Sequence, residues 1–325
     1  MRYFYSSFVI MALGLIASFY LGGLAAIYIT FLLIILEVSL SFDNAVVNAK
    51  VLETMAPIWQ KRFILFGMPI AVFGMRLVFP LAIVSIVTGM GMLETLQVAM
   101  NQPDEYEKML KSTESTIFAF GGAFLLMVFL DFFFGEHDIK WVTFVEGSKT
   151  METFSGVANI ELITAIMVGI GLGHITQDFG VVLAFMYGVL LHSLLGMLDH
   201  FLSSDTVKSG IAGFIYLEVL DASFSFDGVI GAFALTSNIF IIMIGLGVGA
   251  MFVRSMTIYF VEHKTLSNFR YLEHGAHYAI GILAIIMLMK ITMHVSEVVT
   301  GTIGIGLIAI AFAHSIWENR KALSS

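Results

Sequence analysis

Apolar runs long enough to cross a bilayer follow one another along this chain almost from end to end, beginning with "FVIMALGLIASFY" at 8–20 and closing with "IGIGLIAIAFA" at 303–313. A hydrocarbon core about 30 Å thick needs roughly 20 apolar residues per helical crossing. Only 12% of the 325 residues are charged and 58% are hydrophobic, with a mean hydropathy of +0.94. A soluble domain of that length needs far more charged surface. The expectation is an all-α, polytopic membrane protein whose first partner is the lipid bilayer. The net charge of −8 carries little meaning, because many of the acids stand in or beside apolar runs. The absence of cysteine excludes a disulfide framework and a thiolate metal site. No basic patch with interleaved aromatics points to nucleic acid. The first twenty residues have a weak basic region and no clear cleavage site, and read as an uncleaved first span.

Polar and charged clusters divide the chain into ten expected spans, at 7–21, 23–48, 62–88, 115–134, 156–173, 178–198, 210–235, 238–260, 273–292 and 298–316. Leu21–Gly22–Gly23 makes the first connection very tight. The two long connections, "NQPDEYEKMLKST" and "GEHDIKWVTFVEGSKTMET", are read as loops. With ten spans both termini share a side. Of the sixteen basic residues, eleven fall on that side and only Lys108 and Lys111 on the other; Arg76, Arg254 and Lys290 lie within spans. Basic residues concentrate in cytoplasmic loops, so the expected arrangement is an inner-membrane protein with both ends cytoplasmic.

Two stretches are near copies: "EVSLSFDNAVVNA" at 37–49 and "DASFSFDGVIGAF" at 221–233. They fall in the second and seventh spans, five apart, so their helices run in opposite directions. Arg76 and Arg254 follow in the next span of each half. Glu114, Gly122 and Asp131 then align with Glu273, Gly281 and Lys290. Two five-helix halves of opposite topology, 1–175 and 176–325 within one membrane domain, are the pattern of transporters whose site lies at the midplane between repeats.

On a helix Glu37, Ser41, Asn44 and Asn48 form one polar stripe, and Asp221, Ser225 and Gly228 repeat it. Asp43 and Asp227 point away from that stripe unless the helix unwinds, which is the expectation adopted for both copies. A carboxylate at the bilayer centre costs roughly 3 kcal/mol, so Glu37, Asp43, Asp221 and Asp227 together cost on the order of 10 kcal/mol. Arg76 and Arg254 offset two of the four charges. The remaining −2 matches one divalent cation, and the hard oxygen donors favour Mn²⁺, Mg²⁺ or Ca²⁺ over copper or zinc.

At these residues the chain resembles a known family. The paired motifs in "LEVSLSFDNAVVNA" and "LDASFSFDGVIGAFALT", together with "FRYLEHGAHYAIGILAIIMLMK", are similar to TerC-type integral membrane proteins of the lysine-exporter-like superfamily. The likeness covers about 23 to 292. It implies manganese efflux or tellurite and metal-stress resistance, and a metal-ligand set of Glu37, Asp43, Asn44, Asp221 and Asp227. Gly228 departs from the hydroxyl residue common in that family, which argues against a symmetric site.

The competing reading of the four acids is a structural salt-bridge cluster; duplication and intramembrane placement favour function. The arginines read as counter-charges that hold the acids. Lys290 reads as snorkelling. His174, His192 and His314 read as interhelical hydrogen-bonding groups, with His277 beside Glu273 as a proton-relay candidate. The resulting expectation is a divalent-cation exporter, Mn²⁺ first, with the ion as substrate and no enzymatic activity. Homo-oligomerisation stays open. The alternatives are an intramembrane aspartyl protease and a non-transporting scaffold for metal or tellurite stress complexes.

Overall fold

A computed structural model describes residues 2–135, 139–148, 153–202, 210–233, 235–236, 238–263 and 269–324. It is helical throughout, with no strand among the described residues. The first helix, α1 (Tyr5–Leu40), holds no charged side chain before Glu37. Its 36 residues would reach about 54 Å if straight, well beyond one bilayer crossing. The chain instead reverses at Gly22–Gly23, where Gly23 adopts φ +67°, a conformation glycine takes without steric cost. The Thr30 hydroxyl donates to Ser18 Oγ at 2.7 Å, twelve positions back, which a continuous helix does not allow.

Both arms pack on α11 (Ile239–Glu262). Along the first arm the Ser7 hydroxyl donates to the Met251 carbonyl, and Gly14 lies against Ile244 and Val248. Along the second, Leu33 meets Gly245 and Glu37 meets Gly249. One arm is therefore antiparallel to α11 and the other parallel to it, as a hairpin requires. Small residues let the backbones approach where lipid offers no hydrophobic drive between helices. A Cβ at Gly249 would stand 2.5 Å from Glu37 Cβ.

After Ser41 the chain resumes as α2 (Phe42–Thr54). The helix α3 (Pro57–Pro69) is followed by a π-helical segment, Ile70–Val78, and by α4 (Phe79–Thr88). Pro69 has no N–H to give the preceding turn, and the two sides of this region, Pro57–Gly67 and Val72–Ile86, are bent by 47°. Then come α5 (Met92–Asn101) and α6 (Pro103–Phe134). The first long connection, expected as a loop, is thus helical almost throughout. Pro103 opens α6 with Asp104 and Glu105 in its first turn, the preferred chemistry of a helix N-terminus. A Lys111–Glu107 pair supports the next turn.

The remaining helices among the described residues include α7 (Thr143–Glu146), α8 (Ile160–Thr176), α9 (Phe179–Leu202), α10 (Gly210–Phe233), α12 (Leu272–Lys290) and α13 (Glu297–Ser324). Among the described residues five helices are long and apolar enough to cross a membrane, or six if the bent pair is one span. The chain is a helical membrane protein. The acidic helix α10 falls outside that count, as does the 17-residue α8.

The chain divides into two compact units. The first comprises Met1–Glu114 and Leu202–Glu262, and the second Ser115–Phe201 and His263–Ser325. Each therefore draws on both halves of the sequence. In the second unit α6 and α12 run antiparallel through reciprocal contacts: Gly122 lies against Leu288, and Gly281 against Phe129. The connection after α6 is fastened by Glu146, whose carboxylate accepts from the Trp141 and Val142 amides and from the Tyr278 hydroxyl.

Candidate functional site

The first compact unit gathers the buried charge. Glu37, near the end of the second arm of α1, is 1% exposed. Helix α10 brings Asp221, and the π-helical segment brings Arg76, itself 2% exposed. One guanidinium serves both acids. Arg76 Nη2 donates to Glu37 Oε1 at 2.5 Å and Nη1 donates to Asp221 Oδ2 at 3.1 Å. Ser41 Oγ donates to Glu37 Oε1 at 2.9 Å, and Asn44 Nδ2 to Asp221 Oδ1 at 2.9 Å. Charge-assisted bonds of this kind are what make buried ions tolerable.

The two copies meet reciprocally. Asn44 and Gly228 occupy matching places in the two motifs, and each faces the leading acid of the other copy. Asn44 donates to Asp221; a Cβ at Gly228 would lie 3.1 Å from Glu37 Oε2. Gly228 gives no ligand but admits the opposing carboxylate.

The expected unwinding is not found. The first copy is interrupted for one residue, Ser41, and the helical ladder continues across it: Ser41 N–H donates to the Glu37 carbonyl and Ala45 N–H to the Ser41 carbonyl. The second copy lies within the uninterrupted helix α10. Neither carries a proline, and in an apolar setting backbone groups freed by unwinding need partners that an intact helix supplies internally. The side chains of Asp43 and Asp227 lie outside the described residues. Among the described residues no group of three or more His, Cys, Asp or Glu stands close enough to hold a metal ion, and Glu37 and Asp221 are drawn onto Arg76.

Arg254, on α11, does not mirror Arg76. Its guanidinium carbon lies 4.5 Å from the centre of the Phe63 ring, and Nε and Nη2 are buried without a hydrogen-bond partner. It lines a cavity of about 20 Å³ together with Arg76, Asp221, Asn48, Gly67 and Glu218. Glu218 was not among the expected site residues. Its signal was present as a third carboxylate in one apolar helix, in the triplet Leu217–Glu218–Val219 that echoes Leu36–Glu37–Val38. Aligning the motifs on Ser-x-Ser-Phe-Asp pairs Glu37 with Asp221 and leaves Glu218 aside.

In the second unit the polar groups near the helices find local partners. His192 Nε2 is 3.4 Å from Asp131 Oδ2. His277 stacks on Phe132 at 3.9 Å and holds the Glu273 carbonyl rather than its side chain in that bond. Trp141 Nε1 donates to His314 Nδ1 at 3.0 Å. Lys290 Nζ stands 5.5 Å from the centre of the Phe118 ring. His174, in the last turn of α8, is close to the helix end.

No curated protein and no solved structure matches the chain. A family model described as "Protein of unknown function (DUF475)" matches residues 42–322, a span that takes in the first motif copy from Phe42 onward, the whole of the second, both arginines and Glu218. The chain accordingly belongs to the DUF475 family.

Proposed function

We propose that this protein is an inner-membrane exporter of a divalent cation, manganese foremost, working by alternating access between two inverted five-helix repeats with both termini cytoplasmic. The observation that carries the reading is the buried guanidinium of Arg76, held between the leading acid of each motif copy. A site built from two copies of one motif is what inverted-repeat carriers use at the membrane midplane. Arg76 stands where the cargo's charge is needed and releases Glu37 and Asp221 when the ion enters. Glu37, Asp43, Asn44, Asp221 and Asp227 supply hard oxygen donors, which suit Mn²⁺, Ca²⁺ or Mg²⁺.

The ten spans of this reading are the two arms of the α1 hairpin, the second continued by α2, the bent pair around Pro69, and α6 and α8 to α13. The reciprocal contacts Gly122–Leu288 and Gly281–Phe129 support the repeat, since 122 and 281, and 129 and 288, are equivalent places in the two halves. The resemblance to TerC-type proteins supports manganese and the outward direction.

The test is cellular manganese content and sensitivity with wild type, Glu37→Gln, Asp221→Asn and Asp227→Asn. Retained manganese and heightened sensitivity in the variants are expected; unchanged handling in all three sinks the exporter. Parallel loading with calcium and magnesium fixes the ion. One observation favours a second reading, a non-transporting scaffold: Arg76 already satisfies both acids. Purified protein that binds no manganese, with or without Asp227, is the result that selects it.

A further inference from the structure

We propose that one water molecule fills the cavity beside Asp221, bridging Glu218, Asn48 and Arg254, and that Glu218 thereby keeps Arg254 off Asp221. Glu218 and Asn48 are 9% and 5% exposed, yet Glu218 Oε1 and Asn48 Oδ1 are buried with no hydrogen-bond partner. Arg254 Nε and Nη2 are buried donors with no acceptor. These two oxygens and two nitrogens belong to side chains that line the same cavity. Buried polar groups left unpaired are costly.

The occupant must both donate and accept. A bare cation serves only the oxygens and faces two guanidinium groups. A bare anion serves only the nitrogens and faces two carboxylates. Water does both, and a cavity of about 20 Å³ exceeds the roughly 10–15 Å³ that one water needs. Gly67 keeps the space open: a Cβ there would stand 2.8 Å from Glu218 Oε1 and 3.0 Å from Arg254 Nη1.

The consequence for the cation site rests on the transporter reading. Held by Glu218 through the water, Arg254 leaves Asp221 with Arg76 as its only guanidinium partner. Replacing Glu218 by glutamine removes a carboxyl oxygen from the bridge and frees Arg254 to turn onto Asp221, where it competes with an incoming cation. Glu218 is a positioning residue in this scheme.

Density maps of full-length wild type and Glu218→Gln, at a resolution that shows waters, test the contact directly. One peak within hydrogen-bonding distance of Glu218 and Arg254 in the wild type, and an Arg254 moved onto Asp221 in the variant, are expected. An empty cavity, a direct Glu218–Arg254 bond, or an Arg254 that stays in place overturns the proposal. In liposomes carrying the full chain, Glu218→Gln should raise the half-saturating Mn²⁺ concentration at least tenfold while the maximal rate falls less than threefold, and Glu218→Asp should restore it. Gly67→Ala fills the same space without removing the carboxylate, and should reproduce the shift if Glu218→Gln does not fold. An unchanged half-saturation in both overturns the positioning role. A wild type that moves no manganese defeats the transporter reading alone, since the two maps still decide where the water and Arg254 lie.

Discussion

The two motif copies begin from nearly the same residues and end in different surroundings. In the first, Glu37 is sealed from solvent and receives Ser41 and Arg76. In the second, Asp221 keeps a side-chain exposure of 16% and receives Asn44 and the other arm of the same arginine. The following helix in each half carries one arginine, yet Arg76 stands in a π-helical segment behind Pro69 while Arg254 stands in a regular helix. The recurring motif supplies matching acids. Local irregularity decided which arginine reaches both. π-Helical turns inside longer helices recur at functional sites because they re-aim side chains that a regular ladder would place elsewhere.

Substitutions at matching places break or sharpen this comparison. The largest effect is expected at the arginines. Arg76→Leu leaves Glu37 and Asp221 without their shared counter-charge, a loss of about 3–5 kcal/mol for a broken buried pair. Arg254→Leu, which breaks no direct bond to an acid, should cost less than half as much. Thermal unfolding of the two purified variants in one detergent reads the difference, and equal losses would mean that the copies are equivalent after all.

Next comes Asn44→Ala. It removes a bond to a charged group worth about 1.5–3 kcal/mol, so the same unfolding measurement should show a clear drop; a neutral result would deny Asn44 its hold on Asp221. A double-mutant cycle of Glu37→Gln with Asp221→Asn should give a coupling of about 1 kcal/mol or more, because both side chains share one guanidinium. Strict additivity would break the claim that Arg76 joins the copies. The smallest effect is expected at Gly228→Ala. The gain of about 1 kcal/mol from replacing glycine inside a helix is opposed by a methyl 3.1 Å from Glu37 Oε2, leaving the net change within about 1 kcal/mol.

Much of this was legible along the chain. The tight connection at Gly22–Gly23 is a hairpin, and among the described residues helices run through the ten expected stretches, though five helices, or six with the bent pair, have the length and hydropathy of a crossing. Glu37, Asn44 and Asp221, singled out by repetition, do come together. The acids and lysines around Pro103 look like a loop on a hydropathy scale, although the same residues are good N-terminal-turn and i,i+4 partners for a helix. Glu218 lies outside the repeated frame, and the cavity it lines singles it out from the other acids of its helix.

By itself the sequence determined that this chain is helical and lipid-embedded, and that two acidic motifs interrupt its apolar stretches. Those are local properties, fixed by what each turn of helix shows to its surroundings. Only the tertiary structure decided that Arg76 rather than Arg254 binds both copies, that Asn44 reaches across 177 positions to Asp221, and that Glu218 and Arg254 border one small cavity. A buried charge is stabilised by whichever partner the packing brings within about 3 Å, and that distance is not written anywhere along the chain.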